Sequence, residues 1–201
     1  MIHLLTPHQH DFFTVNVQKA LVHAAQAFAD FISKKVVVTD MSLGGNIHTI
    51  NTSLPENKPI FSLISVLKGD LRGKCYLNLS SQDADVLTSI ALPEVYRQNK
   101  EMKEGILLEL DNILTAAVVS ILSNAFKLDT FAYVPKMYIF KSDELNQWLL
   151  EDYKEEKLAL HFSTGFKIES HDIHPEFIWV LDENIIKFIE SAHKTLQKSL
   201  S

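Results

Sequence analysis

The stretch GILLELDNILTAAVVSILSNAFKLDTFAYVP, Gly105 to Pro135, sets a carboxylate and an amide into an otherwise greasy helix. Glu109 and Asn112 stand three residues apart and so share one helical face. At 100° per residue, Gly105, Glu109, Asn112 and Ala116 fall within about 60° of one another. Leu107, Leu110, Leu114, Val118 and Ile121 lie on other faces and can supply a core. The polar pair is therefore flanked above and below by small residues, which let another backbone or another protein come close. A side-chain amide can hold a water through its oxygen and its NH2 without competing as a nucleophile. The plain alternative is a polar stripe that faces solvent and does nothing more.

Other constellations are weaker. His8 and His10 form an H-x-H pair, and His171 and His174 an H-x-x-H pair. Neither has a Cys or carboxylate set at a recognisable ligand spacing, so both are expected to be exposed loop histidines. GDLRG has two glycines but no phosphate-loop spacing and reads as a turn. The nucleophile-elbow, zinc-protease and dinucleotide-binding patterns are absent from the sequence. Cys75, in GKCYLNL, is the single cysteine; it excludes an internal disulfide, fits a reducing cytoplasm and reads as a buried strand residue.

The elements that must position the pair follow from periodicity. A first helix is expected over about residues 12–34, with Val17, Leu21, Ala24, Phe28 and Phe31 at helical spacing. VVVTDMS reads as a strand, and a further short strand is expected around Ile47–Ile50. IFSLISVLK and RGKCYLNLS, joined at GDL, give the clearest hairpin signal. SSQDADVLTSIAL reads as a helix capped by Ser80 or Ser81. The long helix is expected from Pro93, or a few residues later, to Lys127. TFAYVPKMYIF reads as a strand interrupted at Pro135, and SDELNQWLLEDYKEE as a short helix starting with Ser142 and Glu144. KLALHFSTGFKIES and EFIWVLD read as strands, and ENIIKFIESAHKTLQKSL as an amphipathic helix. The order helix, strands, helix occurs twice, which suggests two halves of one α/β domain with pseudo-two-fold organisation.

Bulk properties narrow the function. The 201 residues are 46% hydrophobic and 22% charged, as in ordinary globular proteins, with a net charge of −6. No basic run or patch supports a nucleic-acid partner. The unbroken apolar stretches fall far short of a membrane span, and MIHLLTPHQHDFF lacks the features of a signal peptide.

One longer pattern remains. Glu109-x-x-Asn112 is followed, after 22 intervening residues, by Pro135. This resembles the signature of the CheC/CheX/FliY family of chemotaxis phosphatases: Asp or Ser, three residues, Glu, two residues, Asn, 22 residues, Pro. Glu, Asn and Pro match at the full spacing, whereas Gly105 stands where Asp or Ser is expected. VLKGDLRGKCYLNLSSQDADVLTSIAL is similar to the family's hairpin and helix, with Gly69 and Gly73 framing the turn. HAAQAFADFISKKV is similar to its first helix, and residues 140–175 match least. Some members carry a second Glu/Asn pair on that first helix, and aligning it here puts Val15 and Gln18 at those places.

The resemblance implies a CheC/CheX-like α/β (α+β) fold over residues 1–201, with pseudo-two-fold halves and long helices packed on an antiparallel sheet. It implies hydrolysis of the aspartyl-phosphate of a CheY-type response-regulator receiver domain in the cytoplasm. The receiver brings its own Mg2+ and Lys, so no cofactor or metal of this chain's own is expected. Asn112 would orient the attacking water, Glu109 would pair with the receiver's Lys, and Gly105 and Ala116 would let the helix dock closely. Pro135 is read as structural, and Val15, standing where a carboxylate would be needed, leaves the first half catalytically empty. Partners in nucleic acid or membrane are not expected; a homodimer paired through its sheets is left open by the resemblance. Two alternatives stand beside this reading: a non-catalytic receiver-binding adaptor, and an unrelated α/β protein in which Glu109 and Asn112 are simply exposed.

Overall fold

The structure is a computed structural model and describes residues 5–46, 54, 58–153, 160–169, 171 and 173–200. Helix α1 spans Pro7–Ile32 and so begins five residues before the expected start. Thr6 accepts a hydrogen bond from the Gln9 N–H, the Gln9 side chain accepts from the Thr6 N–H, and Pro7 opens the first turn. These residues satisfy or avoid the free donors of a helix start, although none belongs to the apolar stripe. Strand β1 is Val36–Gly44; the strand expected around Ile47–Ile50 lies outside the described residues.

Strands β2 (Ile60–Gly69) and β3 (Gly73–Ser80) form the expected hairpin. Gly69, at φ +105°, meets the backbone of the next strand so closely that a Cβ would stand 2.2 Å from Asp129 O. Helix α2 (Ser81–Ala91) is capped by Ser80, whose hydroxyl accepts from the Asp83 N–H. A single 3-10 turn, Glu94–Tyr96, precedes the long helix α3, Lys100–Phe126, which is capped by Asn99. Strands β4 (Thr130–Ala132) and β5 (Lys136–Phe140) follow, then helix α4 (Ser142–Asp152). α4 begins at Ser142 as expected and Lys141 is its cap, with the Glu144 carboxylate accepting from the Lys141 N–H at 2.9 Å. Strands β6 (Leu160–Ile168) and β7 (Glu176–Leu181) and helix α5 (Ile185–Leu200) complete the chain.

Among the described residues seven strands form one antiparallel sheet in the order β1-β6-β7-β3-β2-β4, with β5 also pairing with β2. Exchanging the halves, β1 for β4/β5, β2 for β6 and β3 for β7, returns the same order reversed. The sheet therefore has the pseudo-two-fold arrangement expected from the repeated element order, and its first and last strands are borrowed neighbours of the opposite half. β4 and β5 are one edge strand broken by Pro135. Leu67 pairs with Ala132 and Ile64 with Lys136, so this strand carries one residue more than β2 between those points. The extra residue is a bulge, the place in a sheet that tolerates a residue without an N–H. Val134, 83% exposed, projects from it, while Pro135 is buried.

The two faces of the sheet are covered differently. α1, α2, α3 and α5 pack on one face, over Leu63, Cys75, Leu77, Phe162, Phe166 and Trp179. α4 lies on the other, where Leu145, Leu149 and Tyr153 meet Ile60, Ile64, Tyr76, Ile178 and Val180. Lys74 Nζ stands 5.4 Å from the Trp148 ring and closes that smaller core. Among the described residues α3 is long and apolar enough to cross a membrane. Here its apolar side chains fill the main core between α1 and the sheet.

Candidate functional site on the exposed face of the long helix

α3 is apolar nearly all round, yet one stripe of it is open to solvent. Gly105, Glu109, Asn112 and Ala116 are all exposed, and the stripe continues through Ser120 and Asn124. Leu107, Leu110, Leu114, Val118 and Leu122 are buried against α1 and the sheet. This division holds Glu109 and Asn112 outward, because any rotation of the helix would drag leucines into water at about 1.5–3 kcal/mol each. Residues three apart on a helix have Cβ atoms about 5–6 Å from each other, so both polar groups can reach one partner.

The flanks are as open as the sequence suggests. A Cβ on Gly105 would meet nothing within 4 Å, so no packing inside the chain calls for glycine there. Toward the C-terminal end, Asn112, Ala116 and Ser120 line one wall of a groove of about 410 Å3, and Thr130, Phe131 and Ala132 of β4 line the other. Pro135 shapes the edge strand that carries this second wall.

A second polar group lies beneath the stripe. Asp111, between the two exposed residues in sequence, points the opposite way and is completely buried. Ser65 on β2 donates its hydroxyl to Asp111 Oδ2 at 2.6 Å, and Asp111 Oδ1 has no partner among the described residues. One turn further along, Thr115 Oγ1 and Cys75 Sγ are 3.0 Å apart, and the Cys75 thiol also reaches Ser65 O at 3.7 Å. Burial pushes the Asp111 carboxyl up to about 7, against the opposing effect of the Ser65 hydrogen bond. Burial, and then the charge of Asp111, push the Cys75 thiol well above its usual range, so it is poorly suited to act as a nucleophile. Cys75 is thus the buried strand residue expected. Asp111 went unremarked in the sequence, although helical geometry sets it among Leu107, Leu114 and Val118.

The described histidines do not gather into a metal site. His8 and His10 sit in the first turns of α1, not in a loop, and His174 is exposed. Among the described residues no group of three His, Cys, Asp or Glu is placed to hold a metal. On α1, Val15 and Gln18 are exposed as Glu109 and Asn112 are on α3.

The helices on one face, the reversed strand order and the exposed long-helix stripe define the class: an α+β protein with the CheC/CheX/FliY fold. No protein-family model and no curated protein sequence matches the chain. Solved structures match across nearly its whole length. Thermotoga maritima FliY superposes with a TM-score of 0.68 at 17% identity, covering 95% of this chain and 98% of that one. A chain from the Borrelia burgdorferi CheX–CheY–BeF3–Mg2+ complex gives 0.55 at 15% identity, covering 83% and 97%. A chain from the H. pylori FliG–FliM complex gives 0.60 at 12% identity, covering 91% and 100%.

Proposed function

We propose that this protein is a cytoplasmic phosphatase of a phosphorylated CheY-type receiver domain, docking through the exposed face of α3. The observation that carries this reading is the outward display of Glu109 and Asn112 between Gly105 and Ala116 on the fold that CheX presents to CheY. An aspartyl-phosphate is already reactive, and its transfer needs chiefly positioning and charge stabilisation. The receiver supplies Mg2+ and a Lys. Asn112 supplies the missing part, holding a water in line with the phosphorus. The water oxygen bonds to phosphorus as the bond to the aspartyl oxygen breaks; the carboxylate leaves with the electron pair, and the proton ends on the released phosphate. Glu109 pairs with the receiver's Lys and fixes the helix over the phosphorylation site.

The test is direct. A CheY-type receiver is phosphorylated with a small phosphodonor and Mg2+, the donor is removed, and loss of phosphate is followed with and without the protein. Faster loss is expected, with Asn112→Ala removing most of it while binding persists and Glu109→Ala weakening both. An unchanged rate for Asn112→Ala would reject the water-positioning role.

A second reading keeps the docking and omits the chemistry. Gly105 at the place of the pattern's Asp or Ser favours it, as does the likeness to a chain of the FliG–FliM complex. Binding of the phosphorylated receiver with no effect on its decay would select this adaptor role.

A further inference from the structure

The site helix rests on a buried hydrogen bond that can gain or lose a proton. Asp111 is the residue before Asn112 and two after Glu109, so its carboxyl anchors the same turn that presents them. Its partner, Ser65, lies in the middle of β2 and pairs with Cys75 across the hairpin. The strand side of the contact is fixed: β2 is held by β3 on one edge and by β4 and β5 on the other.

We infer that Asp111 is a positioning residue for the exposed face of α3: its neutral carboxyl, bonded by the Ser65 hydroxyl, seats the helix on β2, and loss of its proton moves Glu109 and Asn112 together. The chemistry is that of a hydroxyl facing a carboxyl. A neutral carboxyl keeps the Ser65 hydroxyl on Oδ2 and carries no charge, so it costs less in an apolar setting than an ionised one. An ionised one keeps the single Ser65 donor, and Oδ1 carries charge with no donor among the described residues. The helix then gains by tilting toward water, and the next residue along it is Asn112.

Surrounding groups do not compete. β3 presents the Cys75 thiol, held neutral by burial; β2 presents Ser65; and α3 itself presents Thr115. In the same core α1 contributes Val17, Leu21 and Ala24, and Ala132 of β4 and Met137 of β5 pack against it. The charged contact between α2 and α3, Lys103 to Asp85 at 2.8 Å, is two turns away toward the N-terminus of α3. The carboxyl sits at about 7, within reach of ordinary changes in pH.

The consequence for the receiver rests on the function proposed above, so the test separates the two. Without any receiver, the Asn112 side-chain amide and the Asp111 carboxyl carbon are followed by NMR between pH 5 and 9. The expected result is one shared transition near pH 7, absent from Asn112 in Asp111→Asn. In Ser65→Ala the transition moves to higher pH, because the hydrogen bond that lowers the carboxyl's affinity for its proton is gone. A titrating Asp111 with a flat Asn112 amide, or no transition at either group, would overturn the inference. If Asp111→Asn fails to fold, the direction of the Ser65→Ala shift decides. In the second arm, the ratio of wild-type to Asp111→Asn dephosphorylation rates falls by about threefold or more from pH 6 to 8.5 with the same midpoint. Shared NMR transitions without receiver dephosphorylation would retain Asp111's role and reject the phosphatase.

Discussion

At the scale of residues, the long helix separates two carboxylates by the water each can reach. Glu109 is exposed and free to meet a partner, whereas Asp111, two positions on, is sealed against the sheet. That sealing has a thermodynamic signature. The folded Asp111 holds its proton up to about pH 7, against an ordinary value of 3.8. Because the folded value is the higher one, its contribution to stability is fully present below about pH 4 and is lost as pH rises through 7. The distance from 3.8 to about 7 corresponds to about 4 kcal/mol between the two limits. Urea unfolding at pH 5 and pH 8 is therefore expected to show the wild type losing stability toward pH 8 relative to Asp111→Asn, in which that dependence is absent. Equal pH slopes for the two proteins would mean that Asp111 is not neutral in the fold.

At the scale of elements, α3 has a face that holds the fold and a face that does not, and substitutions can tell them apart. Leu114 is fully buried, so Leu114→Ala is expected to cost about 2–5 kcal/mol by denaturant titration. Gly105→Ala, on the open face, is expected to stabilise by about 1 kcal/mol, since a Cβ there meets nothing within 4 Å. Gly105→Leu would keep the fold and yet slow receiver dephosphorylation by about tenfold or more, by preventing close approach. A stable Gly105→Leu protein with an unchanged rate would show that the partner docks elsewhere. The sequence made this division legible, because the leucines and the small residues repeat at helical spacing on opposite sides. The hairpin was legible through the β-branched and aromatic runs on either side of the Gly69–Asp70 turn, and the break between β4 and β5 through Pro135. The first turns of α1 were not, because their signal is the polar Thr6–Gln9 box and periodicity sees only the apolar stripe. The place of α4 on the far face of the sheet was hidden too: an amphipathic helix records that it has a partner but not which side of a sheet supplies it. Asp111 escaped because a polar residue on a helix is read as exposed unless its angular position is set against its leucine neighbours.

At the scale of the whole molecule, the sheet repeats itself about a pseudo-two-fold axis while the site does not. α1 stands to the first half as α3 does to the second, and the correspondence sets Asp11, Val15, Gln18 and Val22 against Gly105, Glu109, Asn112 and Ala116. All four α1 residues are exposed, Val15 at 46% and Val22 at 62%. The first half thus carries an acidic residue where α3 has glycine and Gln18 where α3 has Asn112, and it lacks the carboxylate that α3 displays at Glu109. Apolar Val15 leaves nothing at the place of Glu109 to pair with a cation, Gln18 carries its amide one methylene further from the helix than Asn112 does, and Val22 is bulkier than Ala116. The missing carboxylate and the shorter amide can be supplied. In an Asn112→Ala background, Val15→Glu with Gln18→Asn completes the spaced pattern Asp11, Glu, Asn on α1, and Val22→Ala opens the flank for close docking. These four surface positions are separate from the core, so stability is expected to stay within about 0.5 kcal/mol per substitution. If the fold presents its two helices equivalently, dephosphorylation of the receiver returns to a measurable fraction of the wild-type rate. If the grafted protein folds and binds the receiver without restoring any rate, the chemistry depends on features of α3 beyond the exposed pair, and the Ser65–Asp111 anchor, for which α1 has apolar core residues instead, is the first of them to transplant.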